Sequence, residues 1–98
     1  MRIAISSEGK TLDSKISERG GRAPYYLIVE EGKLIEIIKN PFAKGGGGAG
    51  FSVAYLLADK KIELVITGNI GRNMKSALKE RGIKFKEKSG KKVKEIIQ

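Results

Sequence analysis

Short apolar runs alternate with glycine-containing polar segments along this chain, and the spacing of the apolar positions predicts both strands and helices. The runs that are rich in β-branched or aromatic residues and have the length of strands are residues 2–6, 25–30, 34–39, 63–67 and 83–86. Only Glu31, Gly32 and Lys33 separate the second and third runs, which indicates a β-hairpin. Asn40 and Pro41 should end the third strand, because proline has no amide proton for a further ladder bond.

Two longer segments have the periodicity of helices. Residues 51–60 are apolar around most of a helical circumference, which predicts a core helix with only Asp59 and Lys60 in water. Residues 72–81 place their apolar side chains at positions that share one helical face, and Gly82 suits a left-handed C-terminal cap. The strands on either side of this second helix should be parallel, since a right-handed βαβ crossover joins them.

A last short helix is expected near the end of the chain, with Ser89 as its N-cap and an apolar face of Val93, Ile96 and Ile97. The elements together predict an α/β fold, a mixed five-stranded sheet with helices on its faces. The length of 98 residues is typical of one domain, so we expect residues 1–98 to form a single domain. No apolar run is long enough for a membrane span or a signal peptide, and we expect a cytoplasmic protein.

Composition limits the chemistry available to this chain. It contains no Cys and no His, so it lacks thiolate ligands, the commonest metal ligand and the commonest general base. A nucleophilic serine at Ser6 or Ser7 would have no histidine to activate it, and no catalytic residue is predicted. We therefore expect a protein that is not an enzyme.

The charge of the chain favours an anionic partner. Lys and Arg outnumber Asp and Glu by 20 to 11, for a net charge of +9. Nucleic acid, a phosphorylated metabolite and an anionic metal cluster all fit that charge. The same abundance of Lys and Glu is also typical of a thermophile-like surface, selected for solubility and ion pairs.

Three glycine-containing segments should meet where the parallel strands end and helices begin, namely residues 6–9, 44–50 and 67–72. Helix N-termini and closely approaching glycine backbone suit an anion, and Arg22, Lys44 and Arg72 could add charge at the rim. The alternative is that these glycines only permit tight turns and a flexible surface loop. The glycine run also matches a dinucleotide fingerprint, but so dense a run matches by default, and no dinucleotide site is predicted.

Specific stretches resemble a known family. Residues 19–26 (RGGRAPYY), 48–50 (GAG) and 65–73 (VITGNIGRN) are similar to the dinitrogenase iron-molybdenum cofactor biosynthesis family of small nitrogenase accessory factors. The resemblance covers essentially the full chain. It implies a ribonuclease H-like, three-layer α/β/α fold, in which the first three strands form an antiparallel meander and the last two run parallel to strand one.

The resemblance also implies a function. Members that serve nitrogen fixation are similar to carriers, which bind an iron-sulfur or iron-molybdenum precursor and pass it to cofactor-assembly proteins. Matched position by position, the family's arginine pair, first-helix glycines and second loop correspond to Arg19 and Arg22, to Gly48 and Gly50, and to Thr67, Gly68, Asn69 and Gly71. With the neighbouring loop residues, the candidate ligand-binding set is Ser7, Arg19, Arg22, Lys44, Gly47, Gly48, Gly50, Thr67, Gly68, Asn69, Gly71 and Arg72.

The chain departs from the family where a metal would be ligated. It has Gly20 and Gly21 where members often have an aromatic residue, and Gly47 where cluster-handling members often have His. Any cluster would therefore be cradled by backbone amides and arginines, unless carboxylates such as Glu8, Asp13 or Glu18 ligate it.

Two other functions stay open. The lysines near the C-terminus, Lys84, Lys86, Lys88, Lys91, Lys92 and Lys94, fit a nucleic-acid-binding protein, although outward-facing strand positions explain most of them and we do not expect nucleic acid as the partner. The domain could also be a protein-interaction module in a host that does not fix nitrogen.

Overall fold

A computed structural model of the chain describes residues 1–44 and 47–97. Its elements follow the predicted order and lie within two residues of the predicted bounds. They are β1 (Arg2–Ser7), β2 (Tyr25–Glu30), β3 (Lys33–Lys39), α1 (Ala49–Asp59), β4 (Leu64–Thr67), α2 (Arg72–Glu80), β5 (Lys84–Glu87) and α3 (Val93–Ile96).

The strands form one sheet in the order β3-β2-β1-β4-β5. The first three strands are an antiparallel meander, while β4 is parallel to β1 and β5 is parallel to β4. The hairpin between β2 and β3 turns at Glu31 and Gly32, both with positive φ, as a tight two-residue turn requires. The predicted mixed sheet and its three-layer α/β/α arrangement are confirmed.

The two faces of the sheet are covered unequally. On one face, alternate strand residues such as Ala4, Tyr26 and Val65 pack against the apolar sides of α1 and α2. On the other face, Ile5 and Leu27 belong to a smaller cluster that also includes Ile16, Ile66 and Val93. The four-residue α3 is the helix of this second layer, so the second layer is thin.

Two details of the helices differ from the prediction. Phe51 and Tyr55 of α1 are 38% and 41% exposed, so the expectation that only Asp59 and Lys60 reach water is wrong. The sheet and α2 cover one side of α1, and an apolar pattern around the whole helix cannot say which side lies outward. The guanidinium of Arg81 lies 4.3 Å from the ring centroid of Tyr55 and covers part of it.

Of the two predicted helix caps, the cap after α2 is confirmed and the cap before α3 is wrong. Gly82, with φ of 72°, has the left-handed conformation expected after α2. Ser89 does not cap α3, because its hydroxyl donates to the Glu18 carboxylate at 2.8 Å. The N-cap of α3 is Lys92, whose backbone N–H donates to Glu95 at 2.8 Å. In the described part of the chain, no helix has the length and apolar character needed to cross a membrane.

Candidate functional site

Both long helices begin at the edge of the sheet where β1, β3, β4 and β5 end, because α1 follows β3 and α2 follows β4. The two N-termini are in close contact. A Cβ atom at Gly50 would lie 3.0 Å from the backbone nitrogen of Met74, a distance that real Cβ atoms rarely show. Glycine at position 50 therefore allows the first turns of α1 and α2 to approach each other.

A third segment completes this arrangement. A Cβ atom at Gly21 would lie 2.9 Å from the backbone nitrogen of Gly50, so the loop of residues 19–22 packs directly on the start of α1. Together the three segments enclose an open depression of about 460 Å³, hereafter the α1–α2 depression. Its lining consists of Gly21, Arg22, Ala49, Gly50, Gly71, Arg72, Asn73 and Met74.

Buried polar side chains hold the loop of residues 19–22 in place. The Tyr26 hydroxyl donates to the carbonyl oxygen of Gly20. The Asn40 side-chain amide donates to the carbonyl oxygens of Gly21, at 3.0 Å, and Ala23, at 2.9 Å. Tyr26 is fully buried, and its burial raises the pKa of its hydroxyl far above the ordinary value of 10.0. The loop is therefore fixed by the core before any ligand arrives.

The electrostatics of the depression favour an anion. Among the described residues, its lining includes two arginines and no acidic residue. Neither helix has an acidic residue in its first turn, and no side-chain cap was found at either N-terminus within the described residues. The first-turn N–H groups of a helix carry partial positive charge, so two N-termini and two guanidinium groups act in the same direction here. Gly48, at φ of 85°, has the left-handed conformation that leads the chain into α1.

Of the residues predicted to bind a ligand, Arg22, Gly50, Gly71 and Arg72 line the depression. Ser7 and Thr67 do not, and both are fully buried. The Ser7 hydroxyl donates to the carbonyl oxygen of Gly9 at 2.7 Å, so the loop after β1 folds on itself instead of joining the other two. Whether the four lining residues bind a ligand stays a prediction.

The end of β4 is tied into the protein through one carbonyl group. The carbonyl oxygen of Ser17 accepts hydrogen bonds from the Thr67 hydroxyl, at 3.1 Å, and from the Gly68 N–H, at 2.8 Å. It also accepts one from the Ser6 hydroxyl at 3.0 Å, which joins the ends of β1 and β4. Glu18 lies directly over Gly68, where a Cβ atom would be 2.6 Å from its carboxyl carbon. These groups hold the fold together, and they do not belong to the lining given above for the depression.

The remaining candidates lie outside the lining of the depression. Arg19 is exposed, and Asn69 contributes its carbonyl oxygen to a 3.1 Å hydrogen bond from the Gly20 N–H. Gly47 and Gly48 are exposed before α1, and Lys44 lines a separate depression beside Tyr25. The predicted loop of residues 44–50 also includes positions 45 and 46, which lie outside the described residues.

The carboxylates considered as metal ligands are dispersed. Asp13 pairs with Lys94 at 2.7 Å, and the bond and charge of that lysine lower the pKa of Asp13. Glu18 accepts the Ser89 hydroxyl, and Glu8 lies exposed in the loop after β1. Among residues 1–44 and 47–97, no group of three or more acidic side chains is placed to hold a metal ion.

Several residues of the site were not predicted from the sequence. The sequence places Met74 only on a helix, Asn73 only at the end of the familiar stretch of residues 65–73 and in that helix, and Asn40 only as a strand terminator. A partial signal was available for Asn40, because an asparagine before a proline favours a turn in which its side chain bonds nearby backbone, as the 2.9 Å bond from the Phe42 N–H to its Oδ1 shows. Tyr26 lies within the familiar stretch of residues 19–26, but its hydroxyl bond to Gly20 has no sequence signature.

Known proteins match both the sequence and the fold. An uncharacterised protein of Methanocaldococcus jannaschii is 33% identical over 87 residues, which cover 85% of this chain and 70% of that protein. The apo form of the orange protein from Desulfovibrio gigas has a TM-score of 0.91 and 31% identity, covering 99% of this chain and 83% of that one. A Thermotoga protein provisionally named NifB, solved by NMR, has a TM-score of 0.81 and 38% identity, covering 96% and 81%.

The family assignment covers the whole sequence. The family model described as dinitrogenase iron-molybdenum cofactor matches residues 1–98. Because this match spans the full chain, the chain belongs to the dinitrogenase iron-molybdenum cofactor family.

Proposed function

We propose that this protein is a carrier, not an enzyme, and that it binds an anionic iron-sulfur or iron-molybdenum precursor in the α1–α2 depression. The observation that carries the proposal is the meeting of two helix N-termini with Arg22 and Arg72 around one depression, to whose lining residues 1–44 and 47–97 contribute no acidic side chain. Family membership supplies the class of cargo. The orange protein, which has the same fold, was solved in its apo form.

The cargo would be held by hydrogen bonds and charge. A metal-sulfide cluster with net negative charge accepts hydrogen bonds at its sulfur atoms, and backbone N–H groups of Gly50 and Asn73 lie in the first turns around the depression. Arg22 and Arg72 add full charges, and the planar guanidinium suits an anion with several acceptor atoms. Hydrogen bonds to charged groups contribute about 1.5–3 kcal/mol each.

Direct ligation of iron by this chain does not fit its residues. Iron-sulfur clusters are usually ligated by cysteine thiolates, with histidine as the common replacement, and the sequence has neither. Two of the carboxylates considered as iron ligands already have partners. Asp13 forms an ion pair with Lys94, and Glu18 accepts a hydrogen bond from the Ser89 hydroxyl. The cluster would therefore keep its own ligands while bound. Such a carrier would work as one domain in the cytoplasm and release its cargo to cofactor-assembly proteins.

Anaerobic titration tests the proposal. Purified protein is titrated with iron-molybdenum cofactor extracted from nitrogenase, and binding is followed by absorbance and by co-elution in gel filtration. We expect Arg22→Ala and Arg72→Ala each to weaken binding about tenfold to a hundredfold, which corresponds to losing one charged hydrogen-bonding group. Lys33→Ala is the matched control, because it removes a positive charge at the opposite end of the sheet, beside the β2–β3 turn.

The mode of binding is tested separately by X-ray absorption at the iron edge. A cradled cluster keeps the same iron ligands when it binds, whereas carboxylate ligation adds oxygen neighbours at iron. Absence of binding by the wild-type protein would refute the carrier function. Binding that Lys33→Ala weakens as much as Arg72→Ala would show that net charge, and not the α1–α2 depression, attracts the cluster.

A further inference from the structure

The face of the sheet opposite to α1 and α2 has a groove that the proposed carrier function does not use. Because α3 is only four residues long, the second layer leaves β4 and β5 partly uncovered. Leu64 and Ile66 of β4 face this layer, and their register partners on β5 are Lys84 and Lys86. A groove of about 340 Å³ remains between these strands and α3.

The floor of this groove is aliphatic. It is formed by Ile3 and Leu64 at the sheet and by Ile96 of α3, with Ile66 below them. Leu64 and Ile96 are only partly buried within the protein. The volume is many times the roughly 30 Å³ that one water molecule occupies in the liquid, so a large apolar side chain can enter.

The rim of the groove is positively charged. Lys86, Lys88 and Lys91 surround the aliphatic floor, and we call the whole the lysine-rimmed groove. Within residues 1–44 and 47–97, none of these three lysines forms a salt bridge, while lysines elsewhere pair with acids at 2.7 Å, as Lys60 does with Glu36. The acidic residue of the lining, Glu95, already accepts the backbone N–H of Lys92. The lining therefore carries net positive charge, with three lysines against the single carboxylate of Glu95.

We propose that the lysine-rimmed groove is a docking surface for a partner protein, and that the partner inserts an apolar side chain flanked by acidic residues. A buried apolar anchor within a rim of complementary charge is the usual arrangement of a protein interface. Single-stranded nucleic acid is normally held by aromatic side chains that stack on bases, and the part of the chain that the structure describes contributes no aromatic residue to the groove lining. The aliphatic floor thus favours a protein segment over a nucleic acid.

The groove and the α1–α2 depression lie on opposite faces of the sheet. A partner could therefore dock while cargo is still bound, as transfer of the cargo from one protein to the other would require. The docking proposal does not depend on the identity of the cargo, and the two proposals are tested with different probes.

A fluorescent synthetic peptide in which glutamates flank leucines is the probe for this surface. Binding is measured by fluorescence anisotropy, and its location by chemical-shift changes in the ¹⁵N spectrum of the protein, which also shows that each variant is folded. We expect the peptide to perturb Leu64 and α3 and not Arg72. A second peptide with serines in place of the leucines should bind at least about tenfold more weakly, because the floor is then unfilled.

Charge reversal supplies the matched comparison. The double variant Lys86→Glu, Lys91→Glu should weaken binding of the leucine peptide at least about tenfold, and Lys33→Glu, Lys39→Glu, with the same change of net charge on the other edge strand, should leave it within about twofold. Equal losses in both double variants would overturn the proposal. So would equal binding of the serine peptide, tighter binding of a single-stranded oligonucleotide that displaces the leucine peptide, or no binding by the wild-type protein.

Discussion

The Tyr26 hydroxyl is the group whose removal best separates the support of the candidate site from the site itself. Tyr26→Phe deletes one oxygen atom in the centre of the sheet and leaves the ring in place. The Gly20 carbonyl oxygen, itself in a buried residue, then loses the hydroxyl that donates to it. The Gly20–Gly21 segment, which packs against the start of α1, would lose one of its polar attachments to the core.

The size of the effect follows from two properties of this hydroxyl. A buried carbonyl left without its donor costs about 1–3 kcal/mol of folding free energy. The pH dependence adds a second signature, because burial raises the pKa of Tyr26 above the ordinary 10.0 of the unfolded chain. Below pH 10 this tyrosine is neutral in both the folded and the unfolded chain. Above pH 10 it ionises only in the unfolded chain, so the free energy of unfolding falls by about 1.4 kcal/mol per pH unit.

Urea denaturation of wild type and Tyr26→Phe at pH 7 and above pH 10 measures both terms. We expect the variant to be less stable than the wild type by about 1–3 kcal/mol at pH 7. This difference in the free energy of unfolding should become smaller above pH 10, because phenylalanine cannot ionise. Titration of the lysines affects both proteins and cancels in the difference. Tyr55→Phe is the control, because that tyrosine lies exposed on α1 and should cost less than about 0.5 kcal/mol. A stability difference below about 0.5 kcal/mol at pH 7, or a difference that stays constant with pH, would refute the role given to the hydroxyl.

Two further substitutions test the contact between α1 and α2 and the loss of stability at low pH. Gly50→Ala should destabilise the protein by about 1–3 kcal/mol in urea denaturation and weaken cluster binding, because the added methyl group meets the backbone of Met74 at 3.0 Å. Gly71→Ala, at a lining position with open space and an extended backbone, should stay within about 0.5 kcal/mol, and an equal loss in both variants would contradict the packing argument. Asp13→Asn should reduce stability at neutral pH and lose its effect as pH falls below the ordinary 3.8, because the bond and charge of Lys94 lower the pKa of Asp13. A difference from wild type that persists unchanged at the lowest pH would contradict that ion pair.

The fold was predictable because each element has a local signal. The hairpin at Glu31 and Gly32 and the cap at Gly82 follow from turn chemistry, and the sheet faces follow from alternation along the strands. The candidate site was predictable only in part. Which loops meet at Gly50 depends on contacts between backbones far apart in sequence, and a glycine-rich composition allows such contacts without specifying them. For the same reason the loop after β1 was expected at the site, although the Ser7 hydroxyl turns it back on itself.

The attachment of the loop of residues 19–22 to the core affects how this protein could release a cargo. Its backbone is attached to the core through Asn40 and through Tyr26, so the cost of ordering it is met during folding and not during binding. A site that is already formed gains affinity from charge and hydrogen bonds without an entropic penalty for the loop. A site that is formed in advance does not by itself lose affinity for the cargo when a recipient protein is near. We therefore expect release to require ligation of the cluster's iron by the recipient protein, because cysteine thiolates, which this chain lacks, are the ligands that iron prefers.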